Sequence, residues 1–426
     1  MQEQVRKLFW LGLMGLFALQ PAMSQAPSLN PKKLLIYYGW PSAINSTFTV
    51  PLAAAEFARY DYVVLGDGLE KSSHGDHQNT VGIIDSLHSW GGTAVFGYID
   101  LGVLTQNLPL TEIETRVDEW LQSGADGIFF DDFGYDFQVS RERQNAAVDY
   151  AHNAGLPVIA NGWNPDHLFG TAVDPDYNPG GAAASLDNRD FYLSESYQIA
   201  IGAYQSEGDW YFKAEMLKAY QDNIGFKILS ITTNDAANSY DENKFFYAWH
   251  SALMYGHEAT GWGEYGFSAS SASAPYRDRP AVDGGTLFLN LVQNNSPVFE
   301  RDTDAGRLSI DLSAHTYSFT PGVTAIGNLP GQPQRFELGA NYPNPFNPST
   351  EIRFFLPHSS EIRLEIFDLL GRRISTLAAG TYSPGEHRIR WDGHNASGIP
   401  VASGTYFYRL SDGLGNAQTL RMSLLR

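Results

Sequence analysis

The chain has 426 residues and a formal net charge of −19, from 28 Lys and Arg against 47 Asp and Glu. That balance argues against a nucleic-acid partner, which needs a basic surface for phosphate, and against docking on an anionic membrane through a basic patch. No cysteine is present, so disulfides, zinc–thiolate sites and a cysteine nucleophile are excluded.

At the N-terminus, Arg6 and Lys7 precede an apolar run from Leu8 to Leu19, followed by Pro21, Ala22, Met23 and Ser24. A basic start, a short apolar core and a small-residue end predict a signal peptide over 1–24. No later stretch is apolar for the roughly 18 residues that a spanning helix requires. The mature protein is therefore expected to be exported, with no integral membrane segment.

From Lys33 onward short apolar runs alternate with amphipathic stretches, the rhythm of βα units in a parallel sheet. The predicted strands are Leu34–Tyr38, Tyr62–Leu65, Thr93–Ile99, Ile128–Phe130, Val158–Ala160, Phe191–Leu193, Lys227–Ile231 and Ala259–Trp262. Helices are predicted over Thr80–Trp90, Thr111–Ser123, Arg141–Ala154, Trp210–Asp222 and Glu242–Tyr255. Eight strands over roughly 230 residues fit a (β/α)8 TIM barrel, which takes about 250. A doubly wound sheet is the runner-up, but no glycine-rich phosphate loop follows an early strand. We assign the barrel to 30–285. Leu287–Leu291 reads as a closing helix within a small β appendage or barrel end at 286–321. Next come a Gly- and Pro-rich linker at 322–335 and an all-β, Ig-like sandwich at 336–426.

In such barrels the reactive groups stand at the carboxyl ends of the strands. The predicted strand ends carry Tyr38, Trp40, Asp67, Tyr98, Asp100, Asp131, Asp132, Asn161, Trp163, Glu195, Tyr197, Asn234, Trp262 and Glu264. Aromatic faces stack on sugar rings, and carboxylates or amides bond their hydroxyls. Glycoside hydrolysis needs two carboxyl groups flanking the scissile bond. Asp131 and Glu195, at the ends of the fourth and sixth strands, form the strongest pair. Strand alternation turns Asp132 away from the axis if Asp131 faces it. The other residues are candidate substrate contacts. His74, Asp76 and His77 read as a polar loop, Asp302 and Asp304 lack the rest of a calcium loop, and no metal or cofactor is expected.

Two stretches carry family resemblances. NYPNPFNPST (Asn341–Thr350), FDLLGRR (Phe367–Arg373), GEHRIRWDG (Gly385–Gly393), SGTYFYRL (Ser403–Leu410) and the terminal LRMSLLR resemble the type A C-terminal sorting domain of type IX secretion. That implies recognition by the secretion machinery, passage across an outer membrane, and release or attachment at the cell surface. DGIFFDD (Asp126–Asp132), FGYIDLG (Phe96–Gly102) and SESY (Ser194–Tyr197) resemble the spherulin-4 and endo-α-1,4-polygalactosaminidase-like glycosidases. This resemblance implies Asp131 as nucleophile and Glu195 as acid/base, retaining cleavage, and an α-linked, amino-sugar-containing polysaccharide as substrate. The competing readings are a non-catalytic carbohydrate-binding surface protein and a metal-dependent deacetylase.

Overall fold

The computed structural model describes residues 28–235, 240–322, 337–356, 360–368, 371–382, 385–412 and 417–425. The expected signal peptide and all but the first residue of the expected linker lie outside them, as do the turn residues Pro384 and Gly413.

Eight parallel strands close into a barrel: β1 (Lys32–Tyr37), β2 (Tyr62–Leu65), β3 (Ala94–Asp100), β4 (Gly127–Asp131), β5 (Val158–Asn161), β6 (Phe191–Ser194), β7 (Lys227–Ile231) and β8 (Ala259–Gly261). Each pairs with its neighbours in sequence, and β1 pairs with β8 to complete the ring. Most positions are buried because one face meets the barrel interior and the other the helices, which is why the runs are continuously apolar.

Alternation divides each strand between two cores. Leu34, Ile36, Val64, Phe96, Phe129, Ile159, Leu193 and Ile231 fill the interior. Leu35, Val63, Val95, Ile128, Phe130 and Val158 pack outward against the helices. The helix Leu110–Gln122 shows the matching pattern, burying Ile113, Arg116, Val117 and Trp120 at helical spacing. Trp120 lies so close over Gly97 of β3 that an added Cβ would overlap its indole ring. Gly97→Ala is therefore expected to destabilise the barrel by about 1–3 kcal/mol, as overpacked cores do, read as a lowered unfolding midpoint in far-ultraviolet circular dichroism.

Leu287–Leu291 is not a helix. Phe288 bridges to Thr303, Leu289 N donates to Asp302 O at 2.9 Å, and Leu287, Leu289 and Leu291 are exposed. Leucines at every second position follow a strand's period, so they cannot present one helical face. The appendage is a four-stranded antiparallel sheet of Gln293–Asn295, Val298–Asp302, Gly306–Asp311 and Thr316–Pro321. Phe299, Leu308 and Ile310 pack it on the helix Glu242–Tyr255.

The C-terminal module is a sandwich of two antiparallel sheets. One joins Glu337–Leu338, Thr350–Leu356 and Gly385–Trp391; the other joins Arg373–Tyr382, Ser360–Phe367, Gly404–Asp412 and Ala417–Leu424. Its core includes Ile352, Leu364, Trp391, Tyr408 and Met422. The NYPNPFNPST stretch is pinned to it: Phe346 packs on Trp391, and the Tyr408 hydroxyl accepts from Asn341 N and donates to Gly339 O, both at 2.9 Å. Among the described residues no helix is long and apolar enough to cross a membrane.

Candidate active site

The interior alternation that buries Phe129, Ile159 and Leu193 brings Asp131, Asn161 and Glu195 to the same side two residues later, at the carboxyl ends of β4, β5 and β6. Tyr38 and Tyr98 continue the inward rows of β1 and β3 and pack edge to face, 5.3 Å between ring centres. All five are partly exposed, so they line an open mouth above the barrel core.

One amide organises the acids. Asn161 Nδ2 donates to Asp131 Oδ1 and to Glu195 Oε2, each at 2.8 Å. Two oxygens held at 2.8 Å from one nitrogen lie at most about 5.6 Å apart, and near 5 Å if both bonds follow the amide N–H directions. Asp132 N donates a second bond to Asp131 Oδ1 at 2.9 Å. The residues that follow each acid hold left-handed backbone: φ is 52° at Asp132 and 55° at Ser196. A non-glycine residue adopts that conformation rarely, and such strain gathers at functional sites.

Burial, with Asp132 and Glu195 nearby, pushes Asp131 up to about 7 against the opposing bonds from Asn161 and Asp132 N. Burial and Asp100 push Asp132 up to about 6. The phenols of Tyr38 and Tyr98 are driven far upward, by burial first and then by Asp131. Asp131 therefore favours its protonated form up to neutrality, held there by burial and the acids beside it.

Lys213, which the sequence reading did not single out, also reaches this mouth. Its ammonium lies 4.8 Å from the Trp163 ring centre and 5.5 Å from that of Tyr192. Burial pushes it down to about 8, opposed by Glu195 and Asp136. Nothing in a helix carrying WYFKAEM signals that one lysine turns to the barrel mouth.

The other sequence candidates separate by their partners. Trp40 and Trp163 are open, at 55% and 58% exposure, and remain available as stacking faces. Tyr197 and Trp262 do not. Tyr197 is buried with its hydroxyl on Ser251 at 2.9 Å, and Trp262 is buried edge-on to Tyr240 and Phe245. Both rings leave the set of substrate contacts because apolar neighbours cover them. Asp67 is engaged by Arg116 and by Gln106, Asp100 by Gly102 N and Thr105, Asn234 by Gly263 O, and Glu264 by Arg277. These four brace the loops at the strand ends. Asp132, turned aside at β4's end, stays beside the pair as a charge.

The candidate metal-binding types are likewise occupied. Asp76 accepts from Ser42 and Asn79, and His77 Nδ1 lies 2.9 Å from Leu69 O. Asp302 pairs with Arg307, and Asp304 accepts from Thr286 and Leu287. His152, Asp187 and Asp190 bring ligand atoms within 4.8 Å of one another. There Asp190 accepts from Val158 N, Asp187 N and His152, tying the starts of β5 and β6.

The FlgD Ig-like domain model matches residues 347–413. No curated protein matches the chain. Among solved structures, FlgD from P. aeruginosa is 24% identical over 18% of this chain and 60% of its own, with a TM-score of 0.16. PorZ, a surface component of the type IX secretion system of Porphyromonas gingivalis, is 21% identical over 29% of this chain and 16% of its own, with a TM-score of 0.16. A dihydropteroate synthase from Xanthomonas albilineans is 14% identical over 57% of this chain and 91% of its own, with a TM-score of 0.34. At these identities and scores, the likenesses to solved structures carry nothing about activity. What the chain possesses is an eight-stranded parallel barrel followed by an all-β region with an Ig-like domain.

Proposed function

We propose that the barrel is a retaining glycoside hydrolase whose reacting carboxyls are Asp131 and Glu195. The observation that carries the reading is the single Asn161 nitrogen bonded to both acids. It supports a separation in the range of retaining enzymes, about 5–5.5 Å, rather than the 6.5–9.5 Å that leaves room for a water in inverting ones. Two N–H donors converge on Asp131 Oδ1, which suits an anion that attacks the sugar carbon. Glu195 then donates its proton to the departing oxygen and later takes one from water. Burial and the neighbouring acids raise Asp131 to about 7, so near neutrality a proton is at hand in the site, and its transfer to Glu195 frees Asp131 to attack.

The C-terminal sandwich, with Phe346 and Asn341 of its Pro-rich entry docked on strand residues, supports export by a type IX route. On this reading the barrel acts on a polysaccharide outside the cell. The test is a panel of acidic, neutral and amino polysaccharides, with new reducing ends measured and the product anomer followed by proton nuclear magnetic resonance. The expected result is cleavage with retained configuration, abolished in the Asp131→Asn, Glu195→Gln double variant. Glycan retention without any cleavage would instead establish a binding protein.

A further inference from the structure

We propose that Lys213 determines specificity: its ammonium, held against the Trp163 ring, hydrogen-bonds an acceptor on the sugar bound beside Glu195 and rejects a free ammonium at that position. The inference rests on the glycosidase reading and names the chemistry of its substrate.

The Lys213 side chain is delivered by the helix Glu207–Ile224, which is anchored through Trp210, Ala214 and Leu217. Its ammonium forms no hydrogen bond and no ion pair with any described residue, although Glu195 and Asp136 are near enough to act on it through their charge. Its three N–H donors thus stand on a half-buried side chain, over aromatic rings and without a protein acceptor. Leaving such donors unfilled is unfavourable, so an arriving ligand that supplies an acceptor gains more here than it would at a solvated lysine. The neighbouring surface suits a sugar ring, because Trp163 is 58% exposed and follows by two residues Asn161, which bridges the acids. A hydroxyl, an amide carbonyl or a carboxylate satisfies the ammonium. A protonated amine meets like charge at close range. A hexosamine whose nitrogen faces Lys213 therefore fits only when that nitrogen is acylated.

A purely structural lysine, held by the two aromatic rings, would affect folding and leave substrate discrimination alone. Lys213→Met keeps the stem and removes the charge. In the full chain, acting on whichever panel polymer the wild type cleaves, it is expected to raise KM about ten- to hundredfold, with kcat changed less than about threefold and Lys213→Arg recovering part of the loss. A second readout needs no turnover: a bound glycan should shield Lys213 from trinitrobenzenesulfonate, with the modified lysine located by peptide mass mapping. Cleavage of a free-amine polymer, or an unchanged KM in Lys213→Met, overturns the inference while leaving the hydrolase intact. Shielding by an acceptor-bearing glycan that is never cleaved sinks the hydrolase and sustains the role of Lys213. Neither cleavage nor shielding across the panel overturns both.

Discussion

Asp131→Ala and Glu195→Gln are expected to fail in different ways. Removing the attacking carboxylate should lower turnover by about 10⁴-fold or more on every substrate, because no covalent intermediate can form. Loss of the acid should lower it about 10²–10⁴-fold on the natural polymer, and far less on an aryl glycoside whose leaving group needs no proton. Azide separates the roles. With Glu195→Gln it should intercept the glycosyl-enzyme and give a glycosyl azide of retained configuration. With Asp131→Ala it should enter the vacated space and give the inverted one. The opposite pair of products would exchange the two assignments, and it is the outcome to watch, since burial and its neighbours hold Asp131 up at about 7.

A second large effect concerns stability, and its sign follows from that elevation. Asp131 rises from the ordinary 3.8 to about 7 in the folded chain. The folded state thus binds the proton more tightly than the unfolded state does. Its stabilising contribution is complete below about pH 4 and is lost as pH climbs through 7. Each unit corresponds to about 1.4 kcal/mol, and solvent access at the mouth reduces the full amount to about 2 kcal/mol. Asp131→Asn, which cannot ionise and can still accept from Asn161, should therefore be more stable than wild type at pH 8, by roughly 3–6 °C in Tm. The gain should shrink by pH 5. Calorimetry at the two pH values measures the difference. An equal shift at both would remove the charge-burial account.

Much of the barrel was legible because its strands are unusually plain. Runs such as Tyr62–Leu65 and Lys227–Ile231 are mostly apolar, short and bounded by turns, so their ends coincide with those observed. Alternation also separates Asp131 from Asp132 in the sequence alone: one ends the inward row, the other turns aside with φ at 52°. Elsewhere local pattern misled or was silent. The helix Val50–Phe57 lies outside the predicted elements, although Thr49 before it and Pro51 in its first turn are helix-start signals. Leu287–Leu291 reads as a helix on composition, yet its leucines recur with a period of two and the segment bridges to Thr303.

Strand period and strand end are local properties of a chain, so the architecture and the placement of Asp131 and Glu195 at strand ends are legible in the sequence. Their environment was decided only by tertiary structure. Asn161 had appeared as one polar contact among many. Closing the barrel brings the ends of β4, β5 and β6 side by side and makes it the bridge between the acids. The same closure buries Tyr197 and Trp262 and leaves Trp163 open, although all three are aromatics near strand ends. Lys213 reaches the mouth from a helix distant in sequence, to stand over Trp163 and near Glu195. Burial and charge are sums over neighbours that no window of sequence contains, and those sums raise Asp131 and shape what the mouth can meet.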